Sequence, residues 1–339
     1  MPSHALHYVD DSEAGITRKK VRHGWAYYDP EGARITDRDE IDRLNAIGLP
    51  PAYTDAWFCP DPQGHIQAVG WDDKGRKQYR YHTGFREAQE AAKYDRCAAF
   101  GEHLPRLRRK VERDLKLRGL CRDKAVAAVV RLLDLGTIRV GNESYAQANK
   151  SFGATTLRKR HAQVKGSSLK LQFRAKSGKM RVMTITDGSL SRFVKKMQDL
   201  PGQNLFRWID DAGAAHPVTS TDVNAYIREA MNEDFTAKHF RTWGASVLAF
   251  EALARADSYV GIKSVLEPVT AALGNTPSIA RKSYVHPRLI ELAKDKEAQA
   301  AFRETLSLPR ASAHLNRYER GLIAYLEEPI RAPSRKKAA

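Results

Sequence analysis

Residues 168–186, SLKLQFRAKSGKMRVMTIT, alternate apolar and polar side chains on either side of a Lys-Ser-Gly-Lys turn. A period of two broken by a glycine-bearing turn is the pattern of a β-hairpin. On both sides the periodicity is helical. FREAQEAAKYDRCAAFGEHLPRLRRKVERDL (85–115) has helical composition with a break expected at Pro105, and RDKAVAAVVRLLDLG (122–136) reads as an amphipathic helix stopped by Gly136. After the hairpin come LSRFVKKMQDL, STDVNAYIREAMN, GASVLAFEALARA and IKSVLEPVTAALG, and then an amphipathic helical stretch over 274–288 that holds Tyr284. This is the one clear hairpin in the C-terminal two thirds of the chain, so that part is expected to be mainly α-helical with a single β element.

The first quarter is different. WAYYD (25–29), AWFC (56–59), HIQAVGW (65–71) and KQYRYH (77–82) are aromatic or apolar runs punctuated by PEG, PDPQG and DDKG. Between them TDRDEIDRLNAIGLP predicts one short helix, capped at Thr36 and ended by Gly48 and Pro50. The resulting expectation is an α+β protein of four segments. These are an unstructured N-terminus (1–16), a β-rich domain (17–88), a mainly helical domain (89–330) and an unstructured basic tail (331–339).

At 339 residues the chain is long enough for two or three domains. No apolar run approaches the ~18 residues of a membrane span, since AVAAVV is broken by Arg131, and the N-terminus lacks the features of a secretory signal. The expected location is therefore the cytoplasm, in association with the nucleoid, with no membrane partner. Cys59, Cys97 and Cys121 are odd in number, far apart and without a CxxC pair, which argues against a disulfide framework and against zinc.

Charge is the strongest global feature. Lys and Arg number 57 against 40 Asp and Glu, a net +17. The excess is segregated: residues 150–181 carry ten basic and no acidic side chains, and 106–124 carry nine basic against three acidic. A surface charged only for solubility intersperses both signs. A one-sign field of this kind suits the phosphate backbone of nucleic acid.

Tyr284 lies behind Arg281 and Lys282. A phenol, with an ordinary pKa near 10, is a poor nucleophile unless cations surround it and its target is an anion. Attack on a phosphodiester requires fixed donors for the nonbridging oxygens and an acid for the leaving alkoxide. Arginine meets the first need with a planar, permanently charged fork.

Four motifs in order supply such groups: IRVGNE (138–143), FRAKSGK (173–179), KHFRTWGAS (238–246) and NTPSIARKSY (275–284). Together they resemble the type IB DNA topoisomerases of the poxvirus and bacterial kind, over about residues 17–295. The resemblance implies that Tyr284 forms a 3′-phosphotyrosyl bond, that Arg139 and Arg241 clamp the scissile phosphate, and that Lys176 protonates the departing 5′ oxygen. The family position nine residues before the nucleophile, often histidine, is Asn275 here. Asparagine donates a hydrogen bond but neither carries charge nor titrates. In GRKQYRYH the resemblance places Gln78, Tyr79 and Tyr81 against the bases of the major groove, and Tyr145 and Lys179 become further DNA contacts. It implies a monomer acting on double-stranded DNA with two lobes closing as a clamp, and with neither ATP nor metal as cofactor. The chain accordingly contains no GxxxxGK[ST] loop.

Two other readings compete. Tyrosine recombinases share the chemistry but carry His-x-x-Arg before the second clamp arginine, where this chain has Lys238. An architectural DNA-binding protein explains the charge but not the ordered Arg, Lys, Arg, Asn and Tyr set. His239 and His286 lie near the motifs and are read as ordinary packing or surface residues.

Overall fold

The computed structural model describes residues 6–328. The chain divides into two compact units, Met1–Lys93 and Tyr94–Ala339. The expected boundary at 88/89 is displaced by five residues and falls within a helix. Residues 1–5 and the expected basic tail lie outside the described residues.

The first unit contains β1 (Ile16–Val21), β2 (Gly24–Tyr28), α1 (Arg38–Ala46), β3 (Thr54–Phe58), β4 (Ile66–Trp71) and β5 (Lys77–Tyr81), and leads into α2 (Thr83–Asp95). The five strands form one antiparallel sheet in the order β2-β1-β3-β4-β5, so β5 is an edge strand. Ile16, Tyr27, Phe58 and Ala68 from the sheet bury a small core with Leu44 of α1 and Leu49. Helix α1 is capped by Asp37, which accepts from the Glu40 backbone N–H, and not by Thr36 as expected. Both are good caps; the chain enters the helix one residue later.

The expectation of an unstructured 1–16 is corrected for residues 6–16. His7 donates its backbone N–H to Gln63 O at 2.9 Å and accepts from His65 N at 2.8 Å, and the Trp57 indole donates to Glu13 O at 2.9 Å. These partners are distant in sequence, so local periodicity carried no sign of them.

The second unit begins within α2 and continues with α3 (Cys97–Asp114), α4 (Arg122–Gly136), α5 (Glu143–Asn149), β6 (Ala162–Lys165), β7 (Ser168–Arg174), β8 (Met180–Thr186) and α6 (Gly188–Asp199). Next come β9 (Arg207–Ile209), β10 (Ala215–Pro217), α7 (Ser220–Met231), α8 (Ala237–Ala254), α9 (Ile262–Leu273), α10 (Pro277–Ser283), α11 (Pro287–Leu292), α12 (Lys296–Thr305) and α13 (Arg317–Glu327). The expected hairpin is β7–β8, extended by β6 into a three-stranded sheet, and β9 pairs with β10 in a second, smaller hairpin.

Helix α4 is buried nearly all round from Ala125 to Leu133, so it is the central helix of this unit and not an amphipathic surface helix. It packs against α3, α6, α7 and α8. Helix α3 runs through Pro105, where a break was expected, with Gly101, Leu104 and Leu107 buried around it. Tertiary packing here outweighs the hydrogen bond that proline cannot donate. Three helices are tied by one buried charge cluster: Arg108 of α3 meets Asp134 of α4 at 2.8 Å and Glu319 of α13 at 2.7 Å. Glu319 also accepts from the Trp243 indole at 3.3 Å.

Candidate active site

Three of the four motifs line one cavity of about 620 Å³, through Arg139, Lys176, Lys179, Asn275 and Tyr284, with Arg181 beside them, and the fourth places Arg241 against the Tyr284 ring.

Arg139 follows α4. Thr137, in the left-handed conformation (φ 48°), ends that helix, whereas Gly136, the expected stop, is its last residue. Two successive carbonyls are then fixed by backbone bonds: Ala154 N donates to Arg139 O at 2.8 Å and Thr155 N to Val140 O at 2.7 Å. Gly153 permits this pairing, because a Cβ there would lie 2.6 Å from Arg139 O.

Arg241 lies one turn into α8 and is 5% exposed. Its guanidinium donates to Thr137 O and, at 3.4 Å, to Leu273 O, and it stacks over the Tyr284 ring at 4.8 Å. Burial, then the neighbouring Arg139, pull its pKa down to about 10.

Gly274 (φ 68°) closes α9 and turns the chain so that the Asn275 Oδ1 accepts from Arg139 Nη2 at 3.3 Å. Helix α10 is short: Thr276 caps it, Pro277 opens it, and Tyr284 ends it at φ −134°. The continuous helix expected over 274–288 is thus two helices separated by Tyr284–His286. Ser246 of α8, fully buried, holds that break, accepting from His286 N at 3.0 Å and donating to Tyr284 O at 3.5 Å. Burial pushes the phenol pKa up, but Arg241 and then Arg139 outweigh it, and the net displacement is downward.

The electrostatics are one-sided. Among the described residues, Arg139, Arg181 and Arg241 have no carboxylate ion-pair partner, unlike Arg108, Arg122 or Arg131. Buried donors are left over as well: Nε of Arg181, Nε of Arg241 and Nδ2 of Asn275 have no hydrogen-bond partner. Orphaned buried donors are rare because each forfeits its hydration. Of these, Nε of Arg241 and Nδ2 of Asn275, beside Arg139, make a site suited to an anion with several oxygens, whereas Arg181 turns its terminal nitrogens to the Ala271 and Ala272 carbonyls.

Lys176 is exposed on the turn between β7 and β8, and Lys179 follows it on the same rim. Tyr145 is half-buried on α5 and does not line the cavity. His239 caps α8 and packs between Phe100 and Phe235, and His286 caps α11 against Tyr94. Burial holds both imidazoles below their usual pKa, that of His286 to about 4. In the first unit, Tyr79 and Tyr81 are exposed and stacked on β5 with ring centroids 5.9 Å apart. The Gln78 amide donates to Asp72 Oδ2 at 3.0 Å.

Arg181 and Ser246 are the residues that motif reading missed. Arg181 occupies an inward position of β8, in line with Met183 and Ile185, where alternation calls for an apolar side chain. That mismatch was the available signal.

The family model described as "Eukaryotic DNA topoisomerase I, catalytic core" matches residues 82–305, and "Bacterial DNA topoisomerase IB, N-terminal domain" matches 24–72. The chain is 32% identical over 292 residues to the DNA topoisomerase 1B of Acanthamoeba polyphaga mimivirus, covering 82% of this chain and 87% of that one. It belongs to the type IB DNA topoisomerases. The family relaxes duplex DNA through a phosphotyrosine intermediate. The DNA topoisomerase 1B of vaccinia virus (strain Copenhagen) is 21% identical over 262 residues, 71% of this chain and 78% of the viral one. Among solved structures, the XerH site-specific recombinase bound to difH aligns with a TM-score of 0.37 at 18% identity, over 57% of this chain and 52% of that one.

Proposed function

We propose that this type IB topoisomerase nicks one strand of duplex DNA with Tyr284, lets the duplex rotate and reseals it, using neither ATP nor a metal ion. Arg139, Arg241 and Asn275 hold the nonbridging oxygens of the scissile phosphate, so the charge that grows on them in the transition state meets donors already in place. The Tyr284 oxygen, its proton lost to solvent, attacks phosphorus, and the bond to the 5′ oxygen breaks. Lys176 gives that oxygen a proton. The products are a 3′-phosphotyrosyl ester and a free 5′-hydroxyl. Religation reverses each step: the hydroxyl returns its proton to Lys176 and expels the tyrosine. The ester conserves the bond's free energy, which is why no nucleotide is consumed.

The observation that carries this reading is the convergence of uncompensated arginines and orphaned donors on a phenol whose pKa is lowered. DNA contact beyond the scissile phosphate is assigned to Gln78, Tyr79 and Tyr81, to Tyr145, and to Lys179. A second cavity of about 530 Å³, between Lys150, Arg160, Lys170 and Arg174, extends the basic face and meets the first at Met180. The reading includes action as a monomer on nucleoid DNA in the cytoplasm, and the net charge of +17 supports the choice of DNA as partner through its affinity for polyanions. The test is plasmid relaxation in chelator without nucleotide: activity is expected for the wild type and none for Tyr284→Phe. Failure of the wild type at every moderate salt concentration would contradict it.

A further inference from the structure

Lys176 has to reach the leaving oxygen from an exposed turn, although general-acid catalysis demands a fixed geometry. The turn has little apolar packing of its own: Lys176, Lys179 and Met180 are exposed, as is Val182 on β8. On the β7 side it is tied by Phe152 N donating to Arg174 O at 2.7 Å. On the β8 side the tie is Arg181, whose guanidinium donates to Ala271 O at 3.3 Å and to Ala272 O. Those carbonyls are at the end of α9, where they lack helical partners and the helix dipole presents its negative pole. Arg241 uses the next carbonyl, Leu273 O, and Thr137 Oγ1 also reaches Ala272 O, at 3.3 Å. The same helix end therefore anchors the hairpin through Arg181, the phosphate clamp through Arg241, and Asn275 through the turn at Gly274. A Cβ on Gly274 would lie 3.0 Å from the Arg181 guanidinium, so the side chain packs closely on the turn that ends α9.

We propose that Arg181 is a positioning residue that pins the Lys176 turn against the C-terminus of α9 and so delivers the general acid to the leaving oxygen. Both terminal nitrogens of Arg181 are engaged by backbone carbonyls, which leaves the clamp itself to Arg139 and Arg241. The burial of Arg181 beside two other cations is offset by the carbonyls it caps. A lysine has one donor centre in place of the planar fork and would hold the turn less firmly.

The proposal rests on Lys176 being the general acid, and the experiment separates the two claims. Single-turnover cleavage is measured for Arg181→Ala, Arg181→Lys and Lys176→Ala on two suicide duplexes. One has the ordinary 5′ oxygen at the scissile phosphate and the other a bridging sulfur, whose leaving group needs no proton. Arg181→Ala is expected to cleave the oxygen duplex about 10²-fold more slowly than wild type, the order that misplacement by an ångström causes. It is expected to cleave the sulfur duplex at the wild-type rate. Arg181→Lys is expected to fall between them on oxygen and match wild type on sulfur, and it serves alone should the alanine variant fail to fold. If sulfur rescues Lys176→Ala but neither Arg181 variant, Arg181 acts on the phosphate or on the fold and the proposal is overturned. If sulfur fails to rescue Lys176→Ala, the general-acid assignment falls and takes this proposal with it.

Discussion

The cavity around Tyr284 and the edge strand β5 are both basic and aromatic, yet they are built in opposite ways. Beside the phenol Arg241 is sunk: it is 5% exposed, its pKa drawn down to about 10, its guanidinium bonded to backbone carbonyls. On β5 the side chains stand in water, with Tyr79 at 39% and Tyr81 at 42% exposure, stacked on each other. Under the proposed function the difference separates two tasks. Stabilising a transition state requires donors that do not reorganise, and burial without counter-ions supplies them while desolvation and mutual repulsion oppose it. Reading a groove requires side chains that can exchange water for base edges. If this division holds, variants in the two regions should fail in different assays.

The largest effect is expected in the cavity. Arg241→Ala should slow single-turnover cleavage by about 10²–10³-fold, as loss of one preorganised donor does, and Arg241→Lys should recover little of it because the planar fork is lost. Duplex affinity should change far less, since one buried contact is removed from a broad electrostatic footprint. A variant that lost binding and cleavage in equal measure would break the comparison from this side.

On β5 the pattern should invert. Replacing Tyr79 and Tyr81 together with alanine should weaken duplex binding by about tenfold, at the lower end for base contacts, and leave cleavage at saturating enzyme unchanged. Titration by fluorescence anisotropy beside rapid-quench cleavage measures both. Gln78 should contribute less than either tyrosine, because its amide already serves the Asp72 carboxylate.

Asn275 sharpens the boundary within the cavity. As a neutral donor it is expected to contribute about 1 kcal/mol, so Asn275→Ala should slow cleavage by about three- to tenfold, well short of the arginine variant. Equality with wild type would remove it from the site.

The smallest effect concerns stability. His286 is held near pKa 4 against 6.5 in the unfolded chain, chiefly by burial, and His161 behaves likewise. The unfolded chain therefore takes up protons first, so the stability of the second unit is complete above about pH 6.5 and declines as pH falls toward 4. His286→Gln should reduce that decline in a thermal-unfolding series, and an unaltered slope would contradict the cause assigned here.

Much of the fold, and which residues gather around the cavity, is legible in residue order. Alternation marked β7–β8, turn residues bounded β3 to β5, and four motifs named Arg139, Lys176, Arg241, Asn275 and Tyr284. What escaped notice depends on contacts between distant segments. In sequence Arg181 reads as one more of its basic neighbours, because its contact with the end of α9 is made 90 residues away. Ser246 reads as a small helix residue until the backbone of 284–286 lies against it. Pro105 signals a break in isolation and is overruled by the core around α3. Asp37 in place of Thr36, and Thr137 in place of Gly136, are one-residue choices that neighbouring contacts settle.

All of these assignments depend on the phenol of residue 284 becoming esterified to DNA. The direct measurement is denaturing electrophoresis of the protein with a suicide duplex labelled in turn at each end of the cleaved strand. The label upstream of the break, on the fragment that ends in a 3′-phosphate, should migrate with the protein, and Tyr284→Phe should abolish that band. A covalent band that survives in Tyr284→Phe, or that carries the opposite end, would contradict the account.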